Sequence, residues 1–144
     1  MMLYLDTSAL VKLYVDEPMA QAVKAAVGET DAVATSLLAY VEARAAFARA
    51  RRESRLSLSA YRRVVDAFVE DWSRYITVEV TDALVKEAGQ LAASRSLRGY
   101  DALHLAAALS LQHRITMPLY FLAFDRQLMA AAKREGLPHH SIIH

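Results

Sequence analysis

Hydrophobic positions along the chain fall into two alternating periods. Met2-Leu3-Tyr4-Leu5 is an apolar run of strand character that stops at Asp6, and small hydroxylated residues then open a helix predicted over 7–14. Asp16-Glu17-Pro18 signals a turn, and Met19–Val27 reads as a second helix closed by Gly28. Ala32–Thr35 is short and β-compatible. Ser36 reads as the N-cap of a long helix running to about Glu53. Over Ser57–Tyr75, the residues Tyr61, Val65, Phe68 and Trp72 form one amphipathic helical stripe, which assigns these aromatic rings to the core. The two helices are expected to pair as a hairpin.

Ile76–Val80 alternates and is β-branched, so it reads as a strand. Thr81 caps a helix from Asp82 to about Ser96, and Gly99 separates it from another over Tyr100–Gln112. That helix is apolar nearly all round, as expected of one buried in the interior. Pro118–Phe124 is a continuous apolar run, the pattern of a strand covered on both faces. Arg126–Glu135 is the final helix, ended by Gly136, and Leu137–Ile143 holds a short last strand. Strands separated by helices predict an α/β sandwich with a mostly parallel sheet.

At 144 residues, with no repeat, linker or low-complexity tract, the chain is expected to form one domain over residues 1–144. A hydrophobic content of 55% against 23% charged residues argues for a packed core and against disorder. The net charge of +1 gives no general attraction to polyanions, so an anionic partner would have to meet a local basic patch. The absence of cysteine excludes disulfides, thiol catalysis and cysteine-ligated metals. No basic segment precedes the first apolar run, and the longest stretch free of Asp, Glu, Lys and Arg is Ala102–His113, short of the ~18 residues of a membrane span. A soluble, cytoplasmic protein with no membrane association is the expectation.

Four acids stand in unusual places. Asp6 and Asp125 each follow a predicted strand and precede a helix, where Asp is a favoured N-cap. Asp101 lies near a helix start, where the dipole favours negative charge. Glu42 sits on or beside the apolar stripe of its helix, where an unpaired carboxylate is costly; a salt bridge to a nearby Arg would explain it. Each acid is explicable alone. Together, two acids at the mouths of parallel strands and two from adjoining helices would form a hard-cation site at the carboxyl edge of the sheet.

Four blocks then carry a family resemblance: LYLDTSALVKLY, TSLLAYVEARAAFAR, LRGYDALHLAAAL and FLAFDRQLMAAAKREGL. In this order they resemble the PIN-domain ribonucleases, and among them the VapC-type toxins of bacterial and archaeal toxin–antitoxin pairs. The resemblance covers essentially the whole chain. It implies a three-layer α/β/α sandwich with a parallel sheet of about five strands. It also implies that Asp6, Glu42, Asp101 and Asp125 are the catalytic, metal-binding quartet, with Ser8 a secondary contact near the metal. The implied activity is endonucleolytic cleavage of RNA with Mg²⁺ or Mn²⁺. The implied partners are the RNA substrate, a cognate antitoxin covering the active-site groove, and a second copy in a homodimer. One position departs from the pattern: Ala123 stands where the family often has Thr or Ser.

Other features have simpler readings. His104, three residues after Asp101, could suggest zinc but is expected to be a packed, hydrogen-bonded core residue with no catalytic role. His139, His140 and His144 form a loose, solvated terminal group. The arginines at 44, 49, 51, 52, 55, 62 and 63 crowd the helical hairpin, either as a solvated face or as phosphate contacts. Two rivals to the ribonuclease reading remain: a catalytically weak RNA-binding or antitoxin-binding module of the same fold, and a phosphatase of the haloacid dehalogenase type. The latter wants a second Asp where this chain has Ser8.

Overall fold

A computed structural model describes residues 1–140. Its elements run β1 (Met2–Leu5), α1 (Thr7–Val11), α2 (Ala20–Gly28), β2 (Ala32–Ser36), α3 (Ala39–Arg52), α4 (Leu58–Trp72), β3 (Ile76–Val78), α5 (Asp82–Arg95), α6 (Gly99–Gln112), β4 (Leu119–Leu122) and α7 (Arg126–Arg134). The strands form one parallel sheet in the order β3-β2-β1-β4. β1 is central, and all four of its residues are buried.

Alternation along β1 divides the interior in two, because successive side chains point to opposite faces. Met2 and Tyr4 join Ala34 and Phe121 in a core closed by α5, α6 and α7. Leu3 and Leu5 join Val33 and Leu122 in a second core closed by α1 to α4. The result is the expected α/β/α layering. Helix α6 is buried along most of its length, which explains its apolar composition.

The α3–α4 hairpin is fastened by aromatic rings. Phe68, fully buried, has ring centroids 5.3 Å from Tyr14 and Phe47 and 5.5 Å from Tyr40 and Trp72. The stripe Tyr61, Val65, Phe68 and Trp72 therefore packs inward as its spacing required.

Five features differ from the sequence reading. The sheet has four strands among the described residues, not about five. Where a last strand was expected over 137–143, there is one parallel bridge between Phe121 and His139, since Pro138 has no N–H to extend a ladder; residues 141–144 lie outside the described part. Strand β3 stops at Val78, opposite Ser36 at the end of its partner β2, and Glu79 and Val80 beyond it are exposed. Ser36 ends β2 instead of capping α3 directly, although its Oγ accepts the Leu38 N–H at 3.1 Å. The first helix ends at Val11, and turns carry the chain past Tyr14. Among the described residues, no helix is long and apolar enough to cross a membrane.

Phe68→Ala should cost about 3–5 kcal/mol of stability, because truncation leaves a cavity among rings that cannot all collapse into it. Urea unfolding followed by far-UV circular dichroism measures this. A loss below ~1 kcal/mol would mean that the hairpin is not held by this cluster.

Candidate functional site

Asp6 leaves the carboxyl end of β1, and Asp125 follows β4, its parallel neighbour, three residues after Leu122 pairs with Leu5. The Asp6 N–H continues the ladder to the Leu122 carbonyl at 3.1 Å. Glu42 lies in the first turn of α3 and Asp101 in the first turn of α6. All four acids line one cavity of about 380 Å³, together with Thr7, Ser8, Arg98 and His104. Four residues scattered over 120 positions of sequence thus meet at the carboxyl edge of the sheet, where parallel α/β folds place their ligands.

Both aspartates that could have been helix caps are helix caps. Asp6 Oδ1 accepts the Ala9 N–H at 3.0 Å, and Asp125 Oδ1 accepts the Leu128 N–H at 2.9 Å. Capping nevertheless spends only one oxygen of each carboxylate. Ser8 also donates to Asp6 Oδ1, at 2.7 Å, so Asp6 Oδ2 accepts none of these bonds. Glu42 shows the same economy: Thr7 Oγ1 donates to Oε1 at 2.6 Å, and His104 Nε2 lies 2.9 Å from that same atom.

The remaining charge is met by Arg98. Its Nε donates to Asp101 Oδ2 at 2.8 Å, and its Nη2 donates to Asp125 Oδ2 at 3.4 Å. The side chain is 77% exposed, so its guanidinium reaches in from solvent. Among the described residues, no three His, Asp or Glu side chains stand close enough together to hold an ion as they are. The donor chemistry nonetheless fits a hard divalent cation: four carboxylates and two hydroxyls, all oxygen, with Asp6 and Glu42 each fixed through one oxygen. Arg98 supplies positive charge in the same space.

This chain matches the PIN domain family over residues 3–134. It is 36% identical over 135 residues to the ribonuclease VapC45 of Mycobacterium tuberculosis (strain CDC 1551 / Oshkosh), covering 94% of this chain and 92% of that one. The ribonuclease VapC49 of strain H37Rv matches to the same extent. The chain belongs to the PIN-domain family, on its VapC branch. Two crystal structures share the fold: VapC20 of M. tuberculosis, a toxin that cleaves the sarcin–ricin loop (TM-score 0.64, 20% identity, 90% of this chain and 94% of that one), and FitAcB of Neisseria gonorrhoeae (TM-score 0.64, 19% identity, 100% and 99%).

Electrostatics in this PIN cavity differ from acid to acid. Burial pushes the Asp6 carboxyl up, against the pull of His104, Ser8 and the Ala9 amide, and Asp101 adds to the rise. Burial also raises Glu42, but the bonds from His104 and Thr7 overcome it and leave that carboxyl below its usual range. Thr7 and Arg98 had no place in the sequence reading. Thr7 could have been flagged as a hydroxyl beside Asp6, and Arg98 as a cation three residues before Asp101. Ala123 is fully buried in the apolar core, so this position offers the cavity no hydroxyl. On the hairpin, Arg49 and Arg55 pair with Glu53, the solvated-face arrangement.

A carboxyl raised on folding costs stability at pH values above its folded pKa and nothing below its unfolded pKa. Asp6→Asn keeps an oxygen for the Ala9 cap but carries no buried charge. In EDTA near neutral pH it should raise the melting temperature by a few degrees, on the scale of roughly 3 °C per kcal/mol. The gain should fade in acid, where the wild-type carboxyl is itself protonated. Melting curves at both pH values decide it, and an equal change at each would refute the charge explanation.

Proposed function

We propose that this chain is a metal-dependent endoribonuclease acting as the toxin of a toxin–antitoxin pair. The observation that carries the reading is the convergence of Asp6, Glu42, Asp101 and Asp125 on one cavity at the mouths of β1 and β4. Ribonuclease activity in 36%-identical relatives covering 94% of the chain supports the substrate class. Asp6, Asp101 and Asp125 are assigned as principal ligands of Mg²⁺ or Mn²⁺, with Glu42 binding directly or through water and Ser8 in support. The ion supplies Lewis acidity: activation of water for attack on phosphorus and relief of charge on the departing oxygen.

The chain's own residues do the rest. Single-oxygen anchoring of Asp6 and Glu42, and the Leu128 cap on Asp125, fix these carboxylates before substrate arrives, so little reorganisation is needed at the reaction. Arg98, exposed and loosely held at Asp125, can turn from the acids to an RNA phosphate entering the same cavity. Beside the acids, a second cavity of about 560 Å³ between α5 and α6 shares Glu42, Arg98 and Asp101 and is lined by Val85, Ala88 and Tyr100. This groove is where a cognate antitoxin would cover the site. VapC kinship also supports a homodimer, a single PIN unit over all 144 residues, and action in the cytoplasm.

Purified protein incubated with structured RNA should cleave it in Mg²⁺ or Mn²⁺ and not in EDTA. Asp101→Asn should lower the rate by more than the roughly 10–100-fold typical of losing an outer-shell partner. Cleavage that survives both treatments would sink the proposal. Tight RNA binding without cleavage in saturating metal would select the binding-module reading, which Ala123 alone favours.

A further inference from the structure

His104 is 2% exposed and belongs to the interior, yet its ring joins the core to the carboxylate cavity. Nδ1 lies 2.8 Å from the Tyr4 hydroxyl, deep in the sheet, and Nε2 lies 2.9 Å from Glu42 Oε1. Thr7 Oγ1 completes a triangle with these last two atoms, 3.1 Å from Nε2 and 2.6 Å from Oε1.

Proton counting fixes the roles within this network. The short Thr7–Glu42 contact takes the Thr7 proton to the carboxylate. A bare Nε2 would then set its lone pair against both Oε1 and the Thr7 oxygen, so Nε2 must carry the proton and donate. Tyr4 is fully buried, where an ionised phenol would go uncompensated, so the O–H stays intact. His104 Nδ1 is placed to accept that O–H at 2.8 Å, and Thr35 also lies against the phenol. A proton on Nδ1 would set two donors against each other across this 2.8 Å contact unless the Tyr4 hydroxyl turned away. The Tyr4 ring cannot move away, being stacked on Phe121 at 5.5 Å and 14°.

We infer that His104 is a positioning residue for Glu42: Tyr4 fixes its tautomer and orientation, and its Nε2–H holds Oε1 so that Oε2 is left for a ligand in the cavity. The functional consequence rests on the metal-dependent reading above; the hydrogen-bond assignment does not. Orienting partners of this kind fix the tautomer of a histidine through the bond made by its other nitrogen. Their loss weakens metal sites although they never touch the ion.

Nitrogen-15 NMR of histidine-labelled protein in EDTA tests the assignment directly. The expected result is a protonated Nε2 and an unprotonated Nδ1 for His104; a proton on Nδ1 overturns it. The consequence is read by calorimetric titration of Mn²⁺ without RNA. His104→Gln keeps an N–H donor near the Nε2 position, whereas His104→Asn has a donor too short to reach Glu42. Asn should weaken Mn²⁺ binding about 10–100-fold, and Gln should stay within about 3-fold of wild type. Equal affinities for the two folded variants overturn the positioning role, as does wild-type affinity in both. If His104→Asn does not fold, Tyr4→Phe decides. It keeps the stacked ring and deletes only the O–H, so weaker Mn²⁺ binding supports the proposal and unchanged binding overturns it. Wild-type protein that binds no Mn²⁺ sinks the metal reading, while the NMR result stands by itself.

Discussion

Four carboxylates crowded at one edge of a sheet repel one another, and each loses hydration as the interior closes around it. Folding must therefore hold them by specific bonds and answer their charge, or the site would protonate or spread. The chain meets both demands with hydrogen-bond donors and the Arg98 guanidinium. Backbone amides and the Ser8 hydroxyl hold Asp6 and Asp125, Thr7 and His104 hold Glu42, and Arg98 answers Asp101 and Asp125. A carboxylate fixed through one oxygen keeps its second for a ligand, so the same bonds that stabilise the fold prepare the site.

The sheet is what makes this possible. Pairing β1 with β4 in parallel sets two strand ends side by side, each followed by a helix whose first amides need a cap. Aspartate satisfies that need and delivers its charge to the same place. The buried α6 approaches along one face of the sheet, and α3 belongs to the layer on the other. Each brings its acid in a first turn, where the helix dipole favours it. His104, one turn along α6 from Asp101, links the sheet interior at Tyr4 to Glu42 on α3.

Much of this was legible from residue order. The alternation in Met2–Leu5, the stripe through Phe68 and the apolar run ending before Asp125 give strands and helices their places, and the motif order gives the family. The reading failed where a local pattern had no tertiary meaning. Leu137–Ile143 is apolar enough for a strand, but Pro138 limits it to a single described bridge beside β4. Glu79 and Val80 continue the alternation of β3 past the point where the sheet can bury them.

Sequence by itself determined the secondary elements, the positions of four acids at strand ends and helix starts, and the VapC-type PIN family. Periodicity and capping chemistry act over a few residues, and those signals survive in a linear string. Only the tertiary structure decided which donors hold which carboxylate oxygens. Thr7 and Glu42 are separated by 35 positions, His104 and Glu42 by 62, and Tyr4 and His104 by 100. No local pattern encodes such bonds, because they exist only when β1, α3 and α6 pack together. A histidine that reads as core from its helix is therefore both core and the support of Glu42.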